Sequence, residues 1–73
     1  MPETSAEEWI AKFAAEAGAE PPDEATVGKL LRLASIAAHS SERKAAPIAC
    51  WIAGSAGVDP DRAIAIAEEL SGG

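Results

Sequence analysis

The feature that most constrains this chain is a pair of apolar segments, residues 30–38 and 45–57, flanking a short polar corner, residues 39–44. Apolar side chains recur at helical spacing through the first segment and just before it, and no window alternates with the period of a strand. In the second segment, Pro47 fits the first turn of a helix, because its missing N–H costs nothing there. Gly57 is suited to end that helix. The pattern predicts two helices joined by the corner.

Start and stop signals predict one further helix on each side of this pair. Ser5 and Glu8 have the spacing of a capping box, so the first helix should begin near Ala6 and end at Gly18. Near the other end, Asp59-Pro60 combines an N-cap residue with proline at the first helical position, which is a strong helix start.

The second helix has a less distinct start. Thr26 is the predicted N-cap, and the helix should run to about His39. With the other three helices, this gives an all-α fold, a compact bundle of four short helices joined by brief loops. We expect residues 1–73 to form a single helical domain, since one small core is all that a chain of 73 residues supports.

The core should be small, because alanine accounts for much of the 48% hydrophobic content. Trp9, Phe13 and Trp51 are expected to supply core volume, not a platform for stacking nucleic-acid bases. The third helix carries no charge on any face, which is typical of a helix buried on all sides. It should therefore be the central helix, or expose a ridge of small residues to a second copy in a homodimer: Ala46, Cys50 and Gly54.

Composition limits the classes of function. A single cysteine excludes an internal disulfide and provides no zinc-ligand cluster, so we expect neither a metal nor another cofactor. The first four residues lack the basic start and apolar run of a signal peptide, and no apolar run approaches membrane-spanning length. The expectation is a cytoplasmic protein that does not contact membranes.

The charge is unevenly placed along the chain. Net charge is −6, which disfavours nonspecific binding to nucleic acid by the molecule as a whole. Within residues 29–44, however, four basic residues face one acidic residue, so this segment carries +3. Elsewhere two basic residues face eleven acidic ones, giving −9. The basic segment overlaps the polar corner and is the best candidate for a binding site.

Ile36 lies among these basic groups, on a face of the second helix that should be solvated. A single exposed apolar residue is ordinary, but here it would be the centre of a surface that docks on a partner. The candidate residues for partner or anion binding are Arg32, Ile36, His39, Arg43 and Lys44. The alternative is a small anionic ligand or nucleotide phosphate bound at the corner, just before a helix N-terminus. The corner lacks the glycines of a phosphate loop.

Simpler structural roles compete with these. His39 at the end of the second helix can bond its last carbonyls. Arg43 can donate hydrogen bonds to the free carbonyls at the end of the second helix, and Glu42 can accept hydrogen bonds from the free N–H groups at the start of the third helix. Cys50 is expected to be buried as a small hydrophobic residue, with nothing nearby to lower its pKa. No catalytic motif is recognisable, so we expect no enzyme activity.

The two apolar segments and the corner resemble a small actinobacterial family of uncharacterised helical domains. The residues that carry the resemblance are Leu30-Leu31-x-Leu33-Ala34 and Ala38-His39-x-x-Glu42-Arg43-x-Ala45-Ala46-Pro47, with Trp9-Ile10 and Asp59-Pro60 nearer the ends. Serine and lysine replace the glycine and proline that are usual at positions 40 and 44. Such domains occur alone or on the C-terminal side of a molybdenum cofactor guanylyltransferase. The resemblance implies an accessory role beside synthesis of molybdopterin guanine dinucleotide, with that enzyme as the protein partner.

Overall fold

A computed structural model describes residues 5–72, and its first helix, α1, spans Ala6–Ala17. The predicted capping box is present: the Glu8 N–H donates to Ser5 Oγ at 3.1 Å, and the Ser5 N–H donates to Glu8 Oε1 at 3.0 Å. Gly18 ends the helix with φ at 75°, in the left-handed region where a side chain would be strained. Both predicted ends of this helix are confirmed.

The second helix, α2, spans Glu24–Ser40 and begins earlier than predicted. Asp23 is the N-cap, and its carboxylate accepts the Thr26 N–H at 2.8 Å. Hydrogen bonds from the Thr26 hydroxyl and N–H hold the pKa of Asp23 below its usual value. The prediction of Thr26 as N-cap is therefore wrong: Thr26 lies three residues inside and donates to the cap.

The third helix, α3, spans Ala45–Ala56, and the fourth, α4, spans Pro60–Leu70. Pro47 lies in the first turn of α3, and Gly57 follows the helix with φ at 71°. The Asp59 side chain accepts the Asp61 N–H at 3.0 Å, with Pro60 at the first position of α4. These features match the predictions, since each depends on residues adjacent in sequence.

The four helices form a compact all-α bundle, with extents of 38 × 29 × 19 Å, and α2 is its central helix. It packs closely against both α3 and α4, and one buried residue from each of the three helices meets in the core: Leu33, Ala53 and Ala63. The expectation that the third helix is central is wrong. One side of α3 packs on α2, and much of the remainder is open to solvent.

Helix α1 lies at the margin of this arrangement. Within residues 5–72, it packs closely with none of the other three helices. Its one buried residue is Ala14, whereas Trp9 and Phe13 are 58% and 60% exposed. Trp51 on α3 is 71% exposed. The prediction that these three aromatic side chains fill the core is wrong, because the core is built mainly from alanine.

Across residues 5–72, no helix has both the length and the apolar character needed to cross a membrane. Residues 1–4, from which the lack of a signal peptide was inferred, lie outside the described residues, as does Gly73.

Candidate interaction surface

The polar corner is a tight turn between α2 and α3. The Ala45 N–H donates to the Glu42 carbonyl at 2.9 Å, and the Ala46 N–H donates to the Arg43 carbonyl at 3.1 Å. Two of the first N–H groups of α3 are thus occupied by the turn's own backbone. The Glu42 carboxylate instead lies 3.6 Å from Lys44 Nζ. These bonds give no support to an anion site at this helix start.

His39 has a structural partner on its own helix. Its Nδ1 lies 2.8 Å from the Ser35 carbonyl oxygen and 3.2 Å from Ser35 Oγ, one turn earlier. An Nδ1–H donor would satisfy the carbonyl, as expected for histidine in the last turn of a helix. The imidazole is exposed beside the open end of α4.

Ion pairs across the α2–α4 contact neutralise part of the basic segment. Lys29 Nζ lies 2.9 Å from Asp61 Oδ2, and Arg32 Nη2 lies 2.7 Å from Glu68 Oε2. The Asp61 carboxylate, by accepting a hydrogen bond and by its charge, raises the pKa of Lys29. A charge count by segment could not reveal this pairing, because the acidic partners are more than thirty residues away in sequence.

The five predicted site residues have different surroundings. Ile36 and His39 together line a shallow depression beside the end of α4, and Arg32, one turn before Ile36, is paired with Glu68. Ile36 is half-buried and also lines an apolar groove, not solvated as expected. Arg43 and Lys44 are exposed at the corner, and within residues 5–72 no hydrogen bond or ion pair holds the Arg43 side chain. Lys44 is exposed but paired with Glu42 at 3.6 Å, so Arg43 is the one of the basic segment's four basic residues without an ion pair within residues 5–72.

An apolar groove runs between α3 and α4, with α2 as its floor. Its volume is about 430 Å³, and apolar side chains supply nearly all of its wall. Leu33 and Ile36 line it from α2, Ile52 from α3 and Ile66 from α4. Ser40, Ser41 and Ser71 close the end nearest the corner. We call this feature the groove.

Beside the groove, α3 presents an apolar face to solvent. Ile48, Trp51 and Ile52 are each more than half exposed, and their spacing places them on one side of the helix. Ile52 also lines the groove, so the two surfaces are continuous. We call these three residues the α3 face. Trp51 was predicted to lie in the core, so the exposure of this face was not expected.

The small-residue ridge proposed for homodimerisation lies differently from expectation. Cys50 packs against the core, and its Sγ lies 3.8 Å from the Leu30 carbonyl oxygen on α2. Ala46 is half-buried, and only Gly54 of the three is exposed. Burial raises the pKa of the Cys50 thiol, which keeps it protonated and poorly nucleophilic at neutral pH.

A second apolar feature lies on α1. The Trp9 and Phe13 rings stack with centroids 5.3 Å apart and an interplanar angle of 11°. The contact follows from their spacing of four residues on one helix face. Both rings remain mostly exposed, so the stacked pair also presents an apolar surface to solvent.

The arrangement offers apolar surfaces and a basic edge, which are suited to binding. No group of three or more His, Cys, Asp or Glu side chains within residues 5–72 is placed to hold a metal ion.

Comparison with curated proteins and with solved structures finds no match. The model of one domain family of unknown function, DUF6457, matches residues 1–71. The chain therefore belongs to the DUF6457 family.

Proposed function

We propose that this protein is a noncatalytic interaction module that binds a protein partner through the α3 face, with Arg43 and Lys44 at its edge. The observation that carries the proposal is the exposure of Ile48, Trp51 and Ile52 on a side of α3 that no other helix within residues 5–72 covers. Contiguous apolar surface with a polar rim is typical of protein-interaction sites.

Helical spacing supports a single binding surface. Lys44, Ile48 and Ile52 recur at intervals of four residues, so the basic edge continues directly into the apolar face. Trp51 lies beside Ile48, less than one turn away, and is the most exposed of the three. An exposed tryptophan next to aliphatic side chains has the composition of an interface hot spot.

The basic edge indicates what kind of surface would fit. Arg43 and Lys44 would face acidic side chains bordering an apolar patch on the partner, and such pairs act mainly on the rate of association. The resemblance at residues 30–47 supports a molybdenum cofactor guanylyltransferase as the partner, with this protein as an accessory to molybdopterin guanine dinucleotide synthesis.

Titration calorimetry against a purified guanylyltransferase tests the proposal. Trp51→Ala should weaken binding by about 30-fold or more, the loss expected for a hot-spot residue. Leu31→Ala is the matched control, because Leu31 is 66% exposed on α2 but lies outside the α3 face and the groove. Equal affinities for wild type and Trp51→Ala would refute the surface assignment.

Ile36→Asp separates the α3 face from the set predicted from sequence, because Ile36 belongs only to that set. It should affect partner binding less than Trp51→Ala if the α3 face is the site. Arg43→Glu tests the basic edge that both surfaces share, and it should slow association and reduce its salt dependence, because it reverses a rim charge. Phosphate binding at the corner is the competing outcome. It would appear as amide NMR shifts over residues 40–48 when GTP is added to the isolated protein.

A further inference from the structure

Within residues 5–72, two apolar features are open to solvent, the groove and the Trp9–Phe13 stack. The groove is a concave apolar surface of about 430 Å³ between α3 and α4. The Trp9–Phe13 stack is a convex one, on a helix that makes no close packing with the other three helices within residues 5–72. Every copy of the chain carries both features.

We propose that two copies of this protein associate by each placing the Trp9–Phe13 stack of α1 into the groove of the other. Such an exchange is isologous: one two-fold axis relates the two insertions, and both copies cover both features at once. The exchange requires no unfolding, because α1 does not pack closely on the other helices of its own chain within residues 5–72. The inference is independent of the partner proposed for the α3 face.

Charge favours the same pairing. Glu16 lies one turn beyond Phe13 on the same side of α1, and Glu7, Glu8 and Glu16 against Lys12 leave this helix with a charge of −2. The groove ends at the corner, where Arg43 and Lys44 are exposed and outnumber Glu42, leaving +1. An acidic helix with an aromatic stack is thus matched to an apolar groove with a basic end. Attraction between these surfaces would orient the two copies as they meet.

Area sets the expected strength. An aromatic side chain buries roughly 150–250 Å², and Trp9 and Phe13 still expose 58% and 60% of their surfaces. With the facing groove walls counted, two insertions would bury roughly 700–1,200 Å² in total, at or just below the lower limit for specific complexes. The dimer should therefore be weak, and should form at high micromolar concentration and not at nanomolar concentration.

Sedimentation equilibrium of the full chain, from about 10 μM to 1 mM, tests the proposal in this affinity range. The average mass should rise from monomer towards dimer with concentration. A Trp9→Ala, Phe13→Ala double variant should remain monomeric throughout. It should keep its fold, because both side chains are mostly exposed. The Leu31→Ala control should associate as wild type does.

The groove side needs its own variants. Ala49→Phe places a phenyl ring in the groove and should prevent this variant from forming a homodimer. Leu70→Asp provides a second variant that spares the core, since Leu70 is 85% exposed at the groove edge. Circular dichroism of each variant confirms that the helices are intact.

Mixing variants gives a further check. The double α1 variant retains a groove, and Ala49→Phe retains the aromatic stack, so a mixture can make only one of the two insertions and should associate far less than wild type. Neither variant should self-associate. A chain that stays monomeric at 1 mM would overturn the proposal. So would a dimer unaffected by the α1 variants.

Discussion

Replacing Leu33 with alanine tests the description of the core. Leu33 is the largest of the buried side chains, only 4% exposed, and it joins α2 to Ala53 of α3 and Ala63 of α4. Leu→Ala substitutions in cores cost about 2–5 kcal/mol of unfolding free energy, depending on the cavity that remains. Because Leu33 also lines the open groove, water can enter the vacated space, and the cost should be near the lower end, about 2–3 kcal/mol.

That loss is large for a chain of this size. Seventy-three residues correspond to a total stability of roughly 4–11 kcal/mol, and each kcal/mol lost lowers Tm by roughly 4–8 °C. Leu33→Ala should therefore lower Tm by roughly 10–20 °C in thermal unfolding followed by circular dichroism at 222 nm. Leu31→Ala, two positions away and 66% exposed, should change the unfolding free energy by less than about 0.5 kcal/mol. Similar stabilities for these two variants in urea titrations would refute the assignment of Leu33 as the centre of the core.

Three further predictions concern helix ends and surface charges. Gly57→Ala should destabilise the protein by about 1–2 kcal/mol, because φ at this position is 71°. Gly54→Ala should stabilise it by about 1 kcal/mol, because Gly54 lies within α3 and an added methyl group would meet no other atom. Urea unfolding of both variants measures the contrast. Asp23→Ala should lower Tm near neutral pH. The difference in Tm between the variant and wild type should shrink as the pH falls below 3.8, the ordinary pKa of aspartate, and through the lower pKa that Asp23 has in the folded protein. Thermal melts at a series of pH values check this. A double-mutant cycle on Arg32 and Glu68 should give a coupling below about 1 kcal/mol, since both side chains are substantially exposed; a larger coupling would show that the pair is shielded from solvent.

Helix boundaries were the most predictable part of this fold, because capping depends on residues within one turn of each other. Ser5 with Glu8, and Asp59 with Pro60, start their helices as predicted. The start of α2 was mistaken because Asp23 and Thr26 are both good N-cap residues, and only the hydrogen bond between them shows which is the cap. Local spacing is insufficient where two candidates lie three residues apart.

Burial was much less predictable. Trp51 was expected in the core but is 71% exposed, because a pattern within one helix cannot show whether another helix covers a given face. The same limit applies to Ile36, which was expected in solvent and lies half-buried in the groove. Ion pairs such as that of Arg32 escaped detection because their partners are remote in sequence.

The alanine-rich core has a consequence for heat capacity. Unfolding a chain of 73 residues ordinarily raises the heat capacity by about 0.9–1.1 kcal/mol/K, mostly through newly hydrated apolar surface. Among residues 5–72, three of the four buried residues are alanines with little such surface, and seven large apolar side chains are already more than half exposed in the folded monomer. The stability curve of the monomer should therefore be flatter than its length implies. The pronounced negative heat-capacity change should accompany association instead, when the aromatic and aliphatic surfaces lose their water.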